Sequence, residues 1–265
     1  MSIKKELKLA LKYLRIRFLS IYEYRLSFFL VFLTFAAETF FYIVFWKVIF
    51  LRTHAIGGWK FEDLIMLNLF AQIFYIFTDG FLHSFMELPL LIEIGELDQI
   101  FTKPMSSFVN VMFKRTYPIG MLAGITNFFI FLCILIFYFK VEITLLGMLF
   151  ALVVSFIGCI IFSCFVIMVS TLAFWTTKVE FLEEIIWRIG TFLNYPLTAF
   201  PSLARMIFTF FIPIIFTATI PVLIVKNPSS MISLVFYELV FAGILVLLTA
   251  CLWKRGVKAY ESAFG

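Results

Sequence analysis

The run from Leu145 to Trp175 contains no charged residue. As one straight helix it would be about 46 Å long at 1.5 Å per residue, well beyond the roughly 30 Å hydrocarbon core of a bilayer. It must tilt or project past the lipid. Comparable apolar runs extend over about Leu26 to Phe50, Leu64 to Phe85, Pro118 to Phe139 and Met231 to Trp253, with a less clear one between residues 180 and 225. Hydrophobic residues make up 63% of the chain, aromatic residues 20%, and the mean hydropathy is +1.08. A soluble domain of this size would leave large apolar patches in water. In lipid every backbone polar group must be satisfied within the protein. The expected fold class is therefore all-α: a polytopic membrane protein with six transmembrane helices in one domain over residues 1–265.

The fifth span has two readings. Residues 206–225 are apolar but contain Pro213 and Pro221; residues 180–200 are helical in pattern but carry Glu180, Glu183, Glu184 and Arg188. If the span starts near Glu184 and ends at Phe200, then 201–225 becomes a proline-broken re-entrant hairpin on the outer side. Residues 1–25 form an interfacial helix. Ile3, Leu7, Leu11, Leu14, Phe18 and Ile21 recur at steps of three or four, while Lys5, Lys8, Lys12 and Arg15 mark another side. A partner protein is the alternative to lipid for that stripe. Both readings of the fifth span give an even number of crossings. Seven Lys/Arg lie in the segment ending at Arg25, and more lie in 86–117 and in the tail. By the positive-inside bias both termini face the cytoplasm. Trp46, Trp59, Trp175 and Trp253 fall near the span ends, where indole is favoured. The four cysteines lie inside apolar runs and read as small buried side chains.

The chain has no phosphate-binding G-x-x-x-x-G-K-[ST] loop and no G-x-S-x-G nucleophile turn. No catalytic residue, metal site or nucleic-acid-binding motif is expected. Three carboxylates lie at membrane depth: Glu38, Asp79 and Glu238. Such groups are costly and either face a cavity or find a partner. Glu38 and Asp79 are candidate substrate-path residues, acting on a cationic substrate or a proton; the alternative is an acid that ties helices together. Glu238, nearer the end of its span, reads as structural. The polar segment 86–117 contains GELDQIFTKPMSSF, bounded by Gly95 and Pro104. Glu96, Leu97, Asp98, Ile100 and Phe101 make a mixed charged and apolar element, which fits either docking on a soluble partner or an ordinary solvated loop.

Gly57-Gly58-Trp59, GELDQIFTKP at 95–104, LAFW at 172–175, the stretch from Asn194 to Pro221 and the ending RGVKAYESAFG follow one another in an order and spacing that resembles the permease subunits of ABC-type exporters, in the type-2 superfamily. The resemblance implies a half-transporter that pairs with a second permease, as homodimer or heterodimer, in the cell membrane. It implies a separate cytoplasmic ABC ATPase that binds ATP and Mg, so the chain itself holds no cofactor. It makes 95–104 the coupling helix that docks on that ATPase, and favours the re-entrant reading of 201–225. A proton-coupled secondary transporter using Glu38 and Asp79, or a membrane assembly subunit without a transport path, are the other readings.

Overall fold

The computed structural model describes residues 3–23, 25–141, 144–176, 181–227 and 231–260. Among them every regular element is a helix. α1 (Ile3–Glu23) and α2 (Arg25–Phe50) are followed by α3 (Phe61–Phe77). α3 continues through a π-helical turn, Thr78–Leu82, into α4 (His83–Met86) and α5 (Leu88–Glu93). Then come α6 (Glu96–Phe101), α7 (Ser107–Lys114), α8 (Pro118–Cys133), α9 (Leu145–Thr171), α10 (Leu182–Thr191), α11 (Ser202–Met206), α12 (Thr219–Lys226) and α13 (Met231–Ala259). Five stretches among the described residues are long and apolar enough to cross a membrane: Leu26–Phe50, Phe61–Glu93, Pro118–Tyr138, Leu145–Phe174 and Ser233–Ala259. The all-α, polytopic membrane class expected from the sequence holds.

α3 is the central helix. Leu64, Ile65, Leu67, Leu69, Phe70 and Ala71 are buried on every side of it, as a helix apolar all round requires. α8 packs along one side. The approach is close because Gly120 and Gly124, one turn apart, offer no side chain: a Cβ on Gly124 would stand 2.7 Å from Ile76. Small residues four apart allow this in membrane helices, where packing rather than water drives association. α9 lies on another side of α3, and α13 packs on α9. α2 and α13 form the outside, with Phe29, Phe40, Phe41, Phe236 and Leu247 exposed.

Ion pairs mark both ends of this bundle. At one end Lys226 Nζ meets Asp63 Oδ2 at 2.7 Å beside the Trp59 ring. At the other, Glu87, Glu96, Lys114 and Arg115 form ion pairs. Asp63 and Glu87 are separated by about 36 Å of helix at 1.5 Å per residue, enough to cross a bilayer core. The second end, called proximal here, also holds α1 and Tyr260. α1 packs along α7: Lys103 Nζ donates to Tyr13 Oη at 2.7 Å, and Arg17 to the Lys114 carbonyl at 2.6 Å. Leu11, Ile16 and Leu19 of α1 stay exposed.

Neither candidate for the fifth span is a continuous helix. α10 gives way to short 3₁₀ turns at Phe192–Asn194 and Leu197–Ala199, with Pro196 between them. Proline has no N–H to give and restricts the residue before it. This broken segment runs antiparallel to α3. Trp187 stacks on Tyr75, the Gly190 carbonyl accepts from Tyr75 Oη at 3.3 Å, and Asn68 Nδ2 donates to Asn194 Oδ1 at 2.9 Å. It ends where Trp59 Nε1 donates to Thr198, at the distal end. α11 and α12 then form a hairpin whose turn, around residues 212–218, reaches halfway down α9. There Ser155 Oγ donates to the Thr217 carbonyl at 2.6 Å. A Cβ on Gly158 would lie 2.4 Å from the Phe216 carbonyl, so only glycine admits the turn. The hairpin returns to the distal end at Lys226.

Of the four tryptophans placed at span ends, Trp46 and Trp253 are buried against aromatic rings, Trp59 is buried beside Lys226, and Trp175 is exposed. One smaller expectation is corrected. Cys159 and Cys164 are buried, but Cys133 and Cys251 are exposed on the outside of the bundle.

Candidate functional site

Polar residues of α3 and its continuation recur at positions 68, 72, 75, 79 and 83. These steps of four and three lie on one helical face. In the structure that face opens into a cleft of about 870 Å³ between α2, α3, α8 and α10. α2 contributes Glu38, Thr39, Tyr42 and Trp46; α3 and its continuation contribute Asn68, Gln72, Tyr75, Asp79 and His83; Asn127 comes from α8, and Trp187, Thr191, Asn194 and Tyr195 from α10 and the turn after it. The cleft therefore holds both acids singled out in the sequence.

Local structure explains why these groups face one another. The π turn Thr78–Leu82 closes with His83 N donating to the Thr78 carbonyl. One extra residue in a turn shifts the helical register, and such turns often mark functional sites. Asp79, on this turn, is 3% exposed. It is accommodated because position 120 is glycine: a Cβ there would lie 2.0 Å from Asp79 Oδ2. Tyr117 N donates to the Asp79 carbonyl at 2.8 Å, tying the start of α8 to the turn. Among the described residues no hydrogen bond or ion pair reaches the Asp79 carboxylate. Glu38 stands on the exposed face of α2 at the cleft mouth. The amides form a chain, Gln72 Nε2 to Asn68 Oδ1 at 2.8 Å and Asn68 to Asn194. Tyr42 Oη donates to the Leu64 carbonyl at 2.9 Å. Glu238 lies elsewhere, buried where α13 meets α9, and among the described residues neither of its carboxylate oxygens has a hydrogen-bond partner.

The proximal end carries the second arrangement. Gly95, at φ +70°, takes the left-handed conformation that glycine adopts without steric cost and turns the chain from α5 into α6. Leu97 and Ile100 are fully buried under the bundle, and Asn110 Nδ2 donates to the Ile100 carbonyl at 3.0 Å. Those two side chains hold α6 in place and are not free to enter a partner, a correction to the sequence reading of the element. Glu96 Oε2 is 3.3 Å from Lys114 Nζ, and Oε1 is 3.3 Å from Arg115. Burial pushes the Glu96 carboxyl up, but Lys114 and Arg115 outweigh it and hold it below the usual range. Arg115 in turn binds Glu87 at 2.6 Å. Asp98 accepts from Tyr260 Oη at 2.9 Å, and Phe101, half-buried, packs against the Tyr260 ring. Facing outward are Leu90, Glu93, Ile94, Gln99, Thr102 and Pro104.

A family model for ABC-2 family transporter proteins matches residues 36–263, nearly the whole chain. The chain belongs to the ABC-2 transporter family. It is a multi-pass membrane protein and the membrane permease component of an ABC transporter. ABC-2 permeases generally work with ABC ATPases. No curated protein and no solved structure matches the chain.

In this ABC-2 permease the sequence reading reached Glu38 and Asp79 but passed over the amides and aromatic groups that share their cleft. The signal was present on α3, as the spacing of Asn68, Gln72, Tyr75 and Asp79. For Asn194 and Trp187 there was none, since their helix is broken and their face is set by packing.

Proposed function

We propose that the chain is one half of an ATP-driven exporter, with the cleft forming half of the translocation path. In this reading the segment 182–199 is the fifth crossing and the α11–α12 hairpin is re-entrant from the outer side, giving six spans with both termini cytoplasmic. α1 lies in the cytoplasmic interface with Leu11, Ile16 and Leu19 toward lipid. A second permease, identical or not, closes the cleft along the exposed face of α2. ATP and Mg are bound by separate ATPase subunits, which dock on the proximal element at 86–117.

One observation carries this reading: the proximal element is joined to the cleft by short, specific contacts. Glu96 of α6 binds Arg115, whose backbone N donates to Ser84 Oγ at 2.6 Å. Two residues on, Tyr117 N holds the Asp79 backbone. A push on α6 thus reaches the floor of the cleft through a handful of atoms. The docking surface is the outward face, Leu90, Ile94, Gln99 and Thr102, with Asp98 and Phe101 at its edge beside Tyr260. Leu97 and Ile100 act behind it as the anchor.

The test is reconstitution of the chain with its ATPase. Substrate flux that requires ATP, and that Ile94→Ala or Glu96→Ala uncouples from hydrolysis, supports the proposal. Flux by the chain alone, driven by a proton gradient, would identify a secondary transporter instead. Association with an ATPase without any flux would identify an assembly subunit.

A further inference from the structure

We propose that the cleft takes an amphipathic organic cation, such as a protonated amine or quaternary ammonium group on an aromatic or aliphatic body. The proposal rests on the transport reading above and names the class of molecule that the path accepts. Among the described residues no Lys or Arg lines the cleft. Its one titratable base, His83, stacks on Tyr117 and turns Nε2 toward Glu87 at 3.6 Å. Asp79 is almost fully buried, and among the described residues no cation pairs with its carboxylate. Intramembrane carboxylates normally pair or face an aqueous path, and here the missing partner is a positive group in the cleft itself.

The walls fit the rest of such a molecule. Tyr42, Tyr75, Trp46 and Trp187 line the same cavity, and aromatic rings attract cations while accommodating apolar bodies. The two acids stand at different heights. Tyr42, one turn beyond Glu38 on α2, reaches the Leu64 carbonyl of α3, which places Glu38 well toward the distal side of Asp79. The stretch from Asn68 of α3 to His83 of α4 is about 22 Å long at 1.5 Å per residue. A cationic head can rest first at Asp79 and then at Glu38, with its apolar part among the rings, and leave toward the amides at Asn68 and Asn194.

Tetraphenylphosphonium and tetraphenylborate test this directly, since they share shape and differ in charge. Binding of each to the purified full-length chain is measured by equilibrium dialysis in non-ionic detergent. The proposal expects the cation to bind saturably and at least about tenfold tighter than the borate, the scale of one well-placed charge contact. It expects Asp79→Asn and Glu38→Gln each to reduce that preference. Glu38 lies on an exposed face, so Glu38→Gln preserves the test if Asp79→Asn fails to fold. Equal binding of the two ions, or a preference untouched by both substitutions, overturns the proposal. In proteoliposomes with the ATPase, ATP-driven export of another compound that tetraphenylphosphonium does not inhibit refutes the cation site and leaves the exporter reading standing. Charge-selective binding with no ATP-driven movement of the cation or of any other compound assayed refutes the exporter reading and leaves the site.

Discussion

Gly158→Ala isolates the contact that seats the hairpin on α9. The added Cβ would lie 2.4 Å from both the carbon and oxygen of the Phe216 carbonyl and 2.7 Å from Thr217 N. These are backbone atoms and no rotamer change relieves them. Restoring ordinary contact moves the turn by roughly 1 Å, the difference between that separation and van der Waals distance. Overpacking of this kind costs about 1–3 kcal/mol. The same displacement stretches the hydrogen bond from Ser155 Oγ to the Thr217 carbonyl, adding about 1 kcal/mol. The expected loss is therefore about 2–4 kcal/mol, offset slightly by the better helix propensity of alanine. Reversible unfolding in mixed micelles measures it. Gly243→Ala is the control: on α13 nothing lies within 4 Å of a Cβ there, and the change should be neutral or stabilising by up to about 1 kcal/mol. If Gly158→Ala behaves like Gly243→Ala, the hairpin does not pack on α9 as described and the reasoning fails.

At the proximal end, Leu97→Ala should destabilise the fold by about 2–4 kcal/mol, as loss of a fully buried leucine does, whereas Ile94→Ala should leave unfolding unchanged and weaken ATPase association; the reverse pattern in unfolding and copurification assays would mean that α6 faces the other way. The Glu96 carboxyl is held below its ordinary value by Lys114 and Arg115. Its contribution is thus fully present above that ordinary value and is lost as pH falls through the lowered one, so the stability difference between wild type and Glu96→Gln should vanish on acidification. A difference that grows toward low pH would contradict the pairing. In a cysteine-free background, His54→Cys should be labelled by an impermeant maleimide only from outside and Gln99→Cys only from inside, both sites being exposed; labelling from one common side would reject the topology.

The membrane class and the five long helices were legible because long apolar runs have few alternatives in lipid. The course of residues 182–199 was not. They follow no single periodicity, since Pro196 breaks the helix and the segment is held by hydrogen bonds to Tyr75 and Asn68 of α3 and to Trp59 in the loop before it. The inward direction of Leu97 and Ile100 was also hidden. A six-residue helix with charged and apolar positions has two candidate faces, and only the packing of Asn110 and α7 decides between them. Glu38 and Asp79 were legible as acids in apolar surroundings. Their placement in one cleft was not, because it depends on the antiparallel course of α2 and α3 and on the room that Gly120 leaves for Asp79.

The central claim is that an ATPase working on the proximal element drives transport through the cleft. The most direct measurement is flux in proteoliposomes holding the chain together with its ATPase, wild type against Ile94→Ala. The account predicts flux that requires ATP in the wild type and hydrolysis without flux, or loss of the complex, in the variant. Flux that persists without the ATPase and follows an ion gradient would contradict it.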